Sequence, residues 1–158
     1  MIHNKIFFKI LHDEDTLELL TQEEKAFVKA HVPHTGIFGG EEEVFHMVLE
    51  NKDKYIMKPM DLNASQGVYV GRDLSQKEWQ DKLKEDWNQE YLYQEFVENF
   101  AREYLVLRDG QFRVEDFNSV IGLFVYNEKF AGIYTRIGQK NIISGVTDYY
   151  AAPSISVM

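Results

Sequence analysis

The stretch YIMKPM, Tyr55–Met60, ends an apolar run on a lysine and stops it with a proline. An ammonium at a strand end has two ordinary uses. Its stem can lie along apolar surface while the head reaches water, or the head can stand as a point charge for a phosphate. The loop after Lys58, DLNASQG, carries Ser65, Gln66 and Gly67. Small residues there let backbone N–H groups face an anion, as in the concave nests that hold phosphates. YLYQEFVE puts Gln94, Glu95, Phe96 and Val97 at the end of a second apolar run. That end reads either as an edge strand with a solvated face or as the wall of a purine pocket. In the pocket, strand-end backbone groups hold the base and a carboxylate meets its amino group or the ribose hydroxyls. Arg136, in YTRIGQKNIISG, has the planar fork that grips phosphate or carboxylate, and it serves a surface ion pair equally well.

Other chemistries find less support. Neither G-x-x-x-x-G-K-[ST] nor G-x-G-x-x-G occurs, so the loop is not a Walker or dinucleotide fingerprint. His3, His12, His31, His34 and His46 do not make the H-E-x-x-H spacing, and no zinc site is expected. Glu115, Asp116 and Asn118 in RVEDFNS have the oxygen chemistry of Mg²⁺ ligands. Solvated acids at a hairpin end account for them as well, and no metal site is assigned.

The elements that must position these residues follow from periodicity and end signals. NKIFFKILHDEDTLELL has near-helical apolar spacing and predicts one or two helices. TQEEKAFVKAH predicts a helix opened by a Thr21/Glu24 capping box, with Phe27, Val28 and Ala30 as its apolar face and Pro33 and TGIFGG beyond its end. EEEVFHMVLENKD predicts another, with acids in the first turn where the dipole favours them. KYIMKPM and GVYVG read as strands around the loop. SQKEWQDKLKEDW is helical, with a Ser75/Glu78 capping box and Trp79, Leu83 and Trp87 four apart on one face. YLYQEFV is a strand, REYLVLRDGQFRVEDF a hairpin about Asp109-Gly110, and IGLFVYNEKFAGIYTRIG a hairpin turning near Asn127-Glu128. Helices, then strand–strand–helix–strand, then antiparallel hairpins make an α+β fold rather than a doubly wound parallel sheet.

The bulk numbers set bounds. The 158 residues suit one compact domain or two small lobes, and 44% hydrophobic and 14% aromatic residues are globular values. Without cysteine there is no disulfide framework and no thiolate-bound metal, which fits a reducing, cytoplasmic setting. No stretch approaches the about 20 apolar residues of a membrane span, and no signal peptide is read. A formal net charge of −9 argues against nucleic acid as a partner.

Taken in order, NK before a helix, YIMKP, a small-residue loop, GVYVG, a helix, YLYQEFVE, GLFVYNEKFAGIYTRIG and NIISG resemble the C-terminal part of circularly permuted ATP-grasp proteins, the glutathionylspermidine-synthase-like group. The resemblance runs from about Asn4 to Val157. It implies two α+β lobes clasping ATP and an ATP-dependent carboxylate–amine ligase reaction through an acyl-phosphate. It also implies roles. Lys58 matches the lid-strand lysine on the ATP phosphates, and Lys5, in HNKIFF, the earlier nucleotide lysine. Ser65, Gln66 and Gly67 fall on the flexible phosphate loop, though that loop is usually richer in glycine. Gln94, Glu95, Phe96 and Val97 fall on the adenine and ribose strand, and Arg136, Asn141 and Gly145 on the later segment near the phosphates.

Mg²⁺ is expected in the full-length family. Its ligands lie N-terminal to the NK segment, which here begins at residue 4. The expectation is therefore an ATP-binding portion, inactive alone. It would comprise a helical opening segment over 1–50, a lid over 51–100 and an antiparallel sheet over 101–158. Its partners would be a nucleotide and the missing N-terminal half or a second copy of the chain, with no membrane partner. The alternative is a non-enzymatic interaction or oligomerisation module on the same scaffold.

Overall fold

The computed structural model describes residues 4–144 and 149–154, and the chain divides into two compact units, Met1–Val97 and Glu98–Met158. The first holds α1 (Ile6–Ile10), α2 (Glu14–Leu19), α3 (Gln22–His31), β1 (Thr35–Ile37), α4 (Glu42–Glu50), β2 (Tyr55–Pro59), β3 (Tyr69–Val70), α5 (Gln76–Asp86) and β4 (Tyr91–Glu95). Two single 3₁₀ turns, Lys52–Lys54 and Gly71–Asp73, precede β2 and follow β3. Both capping boxes form: Thr21 and Ser75 each accept from the backbone of, and are answered by the side chain of, Glu24 and Glu78.

Four strands make an antiparallel sheet in the order β1-β4-β2-β3. β1 was not expected. It lies in the TGIFGG stretch read as the end of a helix, and it joins the predicted opening segment and lid in one unit. Side chains alternate across the pleat. One face carries Met57 and Tyr69, which pack with Phe38, Val48, Trp79 and Leu83 into the core under α4 and α5. Trp79 Nε1 donates to the Val48 carbonyl at 3.2 Å, so the largest buried ring also has its polar atom bonded. Trp87 stands edge-on to Phe38, ring centroids 5.0 Å apart. Trp79, Leu83 and Trp87 thus share a face, as their spacing predicts. α3 behaves differently: of Phe27, Val28 and Ala30 only Val28 is buried, and Phe27 is 61% exposed. The other sheet face bears Ile56 and Lys58, placed opposite Gln94 and Leu92 in the register.

The second unit is an antiparallel sheet of β5 (Phe100–Arg108), β6 (Gln111–Tyr126), β7 (Lys129–Gly138) and β8 (Tyr150–Ala152) in sequence order. The turns fall at Asp109-Gly110, with φ of +51° and +76°, and at Asn127-Glu128, with +48° and +60°. Paired positive φ values match the right-handed twist of the flanking strands. The two predicted hairpins share β6, which slips register between Phe124 and Val125. The molecule is α+β. Among the described residues no helix is long and apolar enough to cross a membrane.

Candidate functional site

Lys58 sits where β2 meets Pro59, on the sheet face away from the Trp79 core. Its Nζ donates to Gln94 Oε1 at 2.5 Å. Gln94 is buried, and its Nε2 donates to Thr35 Oγ1 at 2.7 Å, which in turn donates to the Pro33 carbonyl at 3.0 Å. A chain of neutral groups running back through β4 to β1 therefore aims the ammonium. Both ends of the Gln94 side-chain amide are thus bonded within the protein, to Lys58 and to Thr35. Burial holds the Lys58 ammonium below its ordinary pKa, and the charge of Lys5 lowers it further.

Lys5 reaches the same strand end. Its backbone N–H donates to the Met60 carbonyl at 2.9 Å, and its Nζ donates to the carbonyls of Pro59, at 3.1 Å, and Leu62. The dipeptide NK thus sets a cation against the end of β2. Neither Lys5 nor Lys58 is ion-paired to a carboxylate among the described residues. Two cations close enough to disfavour each other, held by neutral partners, make a place where an anion gains from both.

The loop after Lys58 makes hydrogen bonds of its own. Gln66 N–H donates to the Asn63 carbonyl at 3.0 Å and Val68 N–H to that of Ser65 at 3.2 Å, so these donors serve internal turns. Ala64 and Ser65 both sit at positive φ, +49° and +59°, without being glycine. Tyr91 Oη donates to the Gly67 carbonyl at 3.2 Å and ties the loop to β4.

At the far end of β4, Glu95, Phe96 and Val97 line a cleft of about 610 Å³. Glu95 N–H donates to the His34 carbonyl at 2.9 Å and Phe96 N–H to that of Lys54 at 2.8 Å. Lys29, Lys54 and Arg72 line the same cleft, and no sequence spacing marked them. Gln94 and Lys58 do not line it. The expected adenine strand therefore splits: Gln94 turns to the lysine face, and Glu95–Val97 open on the cleft.

Arg136 and Asn141 belong to the second unit. Arg136 lies on β7 with its guanidinium 5.9 Å from the Tyr134 ring centroid. The Asn141 carbonyl accepts from Asn99 Nδ2 at 2.8 Å. Gly145 lies outside the described residues, as does His3. Glu115, Asp116 and Asn118 are not at a hairpin end, as the sequence suggested, but within β6. Consecutive strand residues point to opposite faces, which parts Glu115 from Asp116. Glu115 accepts from Arg108 Nε at 2.8 Å and Gln139 Nε2 at 3.2 Å. Asn118 donates to the Lys140 carbonyl at 3.2 Å. Among the described residues no three His, Asp or Glu side chains gather as metal ligands.

No protein-family model matches the chain, and no curated protein matches it.

Proposed function

We propose that the protein is the ATP-binding portion of a carboxylate–amine ligase of the circularly permuted ATP-grasp kind, without turnover on its own. The reading rests on one observation above the others: Lys5 and Lys58, separate in sequence, meet at the end of β2, and among the described residues neither is ion-paired to a carboxylate. A nucleotide's phosphates would neutralise both, at a place where burial strengthens the attraction. Supporting it are the sheet order and the packing of the α5 helix on it.

A carboxylate oxygen attacks the γ-phosphorus of ATP and releases ADP. An amine nitrogen then attacks the acyl carbon, phosphate departs, and the nitrogen loses its proton as the amide forms. Phosphoryl transfer needs positive charge around the migrating group, and Lys5 and Lys58 would supply part of it. The Mg²⁺ of the full-length family would be held by residues outside this set, since among the described residues no three His, Asp or Glu side chains gather as ligands. Backbone NMR on the labelled chain tests the location. ATP should shift the amides of Lys5, Lys58 and their strand neighbours; spectra unchanged at millimolar ATP would contradict it.

A second reading, an interaction module, is favoured by the second unit. On one face of β5 and β6, Leu105 lies opposite Val114 and Leu107 opposite Phe112, and all four are more than 60% exposed. Apolar clusters of this kind mark association surfaces.

A further inference from the structure

One stripe of α3 mixes lysine with valine. Lys25, Val28, Lys29 and, at the helix cap, Val32 stand three and four residues apart, a spacing that shares one side of a helix. All four line a cavity of about 390 Å³. Like charges one turn apart on a helix repel each other. Lysines elsewhere in the unit have an acid at hand: Lys9 pairs with Asp13 at 2.7 Å and Lys52 with Asp53 at 2.7 Å. Lys25 and Lys29 make no ion pair and no side-chain hydrogen bond among the described residues. The helix thus sets two ammonium groups beside the cavity without a counter-charge in contact with either.

Leu17, from α2, joins Val28 and Val32 as the apolar wall. His12 and His34 also line the cavity, ring centroids 5.5 Å apart. His12 Nε2 is buried and has no hydrogen-bond partner among the described residues. Buried polar atoms are nearly always bonded, so an orphan beside a cavity marks a place for a ligand or water. A hydroxyl both donates and accepts, and so answers Nε2 in either tautomer of the ring. Histidines aside, the charged groups of the lining are Lys25, Lys29 and Glu95, whose carboxylate accepts from the His34 backbone N–H at 3.3 Å. That carboxylate repels a dianion more than a monoanion, so the lining suits a singly charged guest.

We propose that this cavity binds a small hydroxylated monocarboxylate with an apolar or aromatic body. The carboxylate meets Lys25 and Lys29, the body lies against Leu17, Val28 and Val32, and the hydroxyl bonds His12 Nε2. The site uses neither Lys5 nor Lys58 and stands apart from the nucleotide reading. Isothermal titration of the full chain with 4-hydroxyphenylacetate tests it. The parent binds, and Lys25→Gln/Lys29→Gln weakens binding by about tenfold or more. Phenylacetate, which lacks the hydroxyl, binds the parent about fivefold more weakly, and 4-methylphenol, which lacks the carboxylate, is weaker too. In His12→Phe the two acids bind alike, and Lys58→Ala leaves binding unchanged. The lysine variant removes like charges one turn apart and should unfold no lower than the parent; Lys29→Gln alone serves if it does not fold. No heat from the parent at millimolar 4-hydroxyphenylacetate overturns the proposal. So does undiminished binding in the lysine variant, phenylacetate binding as tightly to the parent, a preference for the hydroxyl that survives in His12→Phe, tighter binding of phenyl phosphate, or loss of binding in Lys58→Ala.

Discussion

Lys58 is a charged group that the fold has made uncomfortable. Burial and the Lys5 charge lower its pKa from the ordinary 10.5. The free protein therefore gives up this proton earlier than the unfolded chain does. Between the lowered value and 10.5 the unfolded chain binds more protons, so this group's contribution to stability rises with pH across that window. A phosphate reverses the preference by favouring the ammonium. ATP binding should then take up a proton within the same window, and affinity should fall as pH rises through the lowered pKa. Titrations in two buffers of different ionisation enthalpy measure that uptake; equal heats would show that Lys58 does not meet the phosphates. The sequence made Lys58 legible because an apolar run, a lysine and a proline are adjacent. It left Lys29, Lys54 and Arg72 unmarked because their meeting is tertiary, and nothing in their spacing carries it.

At the scale of elements, what is local was readable and what is distant was not. Both capping boxes are four-residue signals satisfied within one turn, and they form as written. β1 is three residues long, and its Thr35 meets Gln94 across 59 positions of sequence. Neither length nor composition marks such a strand; the neighbouring β4 does. The loop beside Lys58 is a related case. Its residues suit a cradle, but two of its N–H groups are committed to its own turns. Gly71 shows how tightly the elements are set. A Cβ there would stand 1.9 Å from the Lys52 carbonyl oxygen, a backbone atom that cannot swing aside. Gly71→Ala should destabilise the first unit by roughly 2–4 kcal/mol, read from denaturant unfolding. It should also displace the neighbouring Arg72 from Phe96. An unchanged midpoint would mean that the two turns are not packed as described.

At the scale of the molecule, the two units differ in how they bury their chain. The first closes a core around Trp79 and Leu83. The second lays out long strands with Leu105, Leu107, Phe112 and Val114 in the open on one face. Its hairpins were legible from Asp109-Gly110 and Asn127-Glu128, whereas the single strand common to both was not, since turn residues mark ends and not continuity. On the interaction reading, light scattering should show concentration-dependent self-association. Added salt should strengthen it, because screening relieves repulsion between chains of net charge −9. Leu107→Lys with Phe112→Lys should return the protein to a monomer. A parent that stays monomeric at high concentration and high salt would remove this reading.

The nucleotide reading stands or falls on the pair at the end of β2. The direct measurement is ATP affinity by isothermal titration for the parent, Lys5→Ala, Lys58→Ala and the double variant. The parent should bind in the millimolar range or tighter, on the order of a −4 kcal/mol interaction. Each single variant should lose about tenfold, and the double variant should lose less than the two losses combined, because the lysines share one anion. No binding by the parent, or affinities indifferent to both lysines, would contradict it.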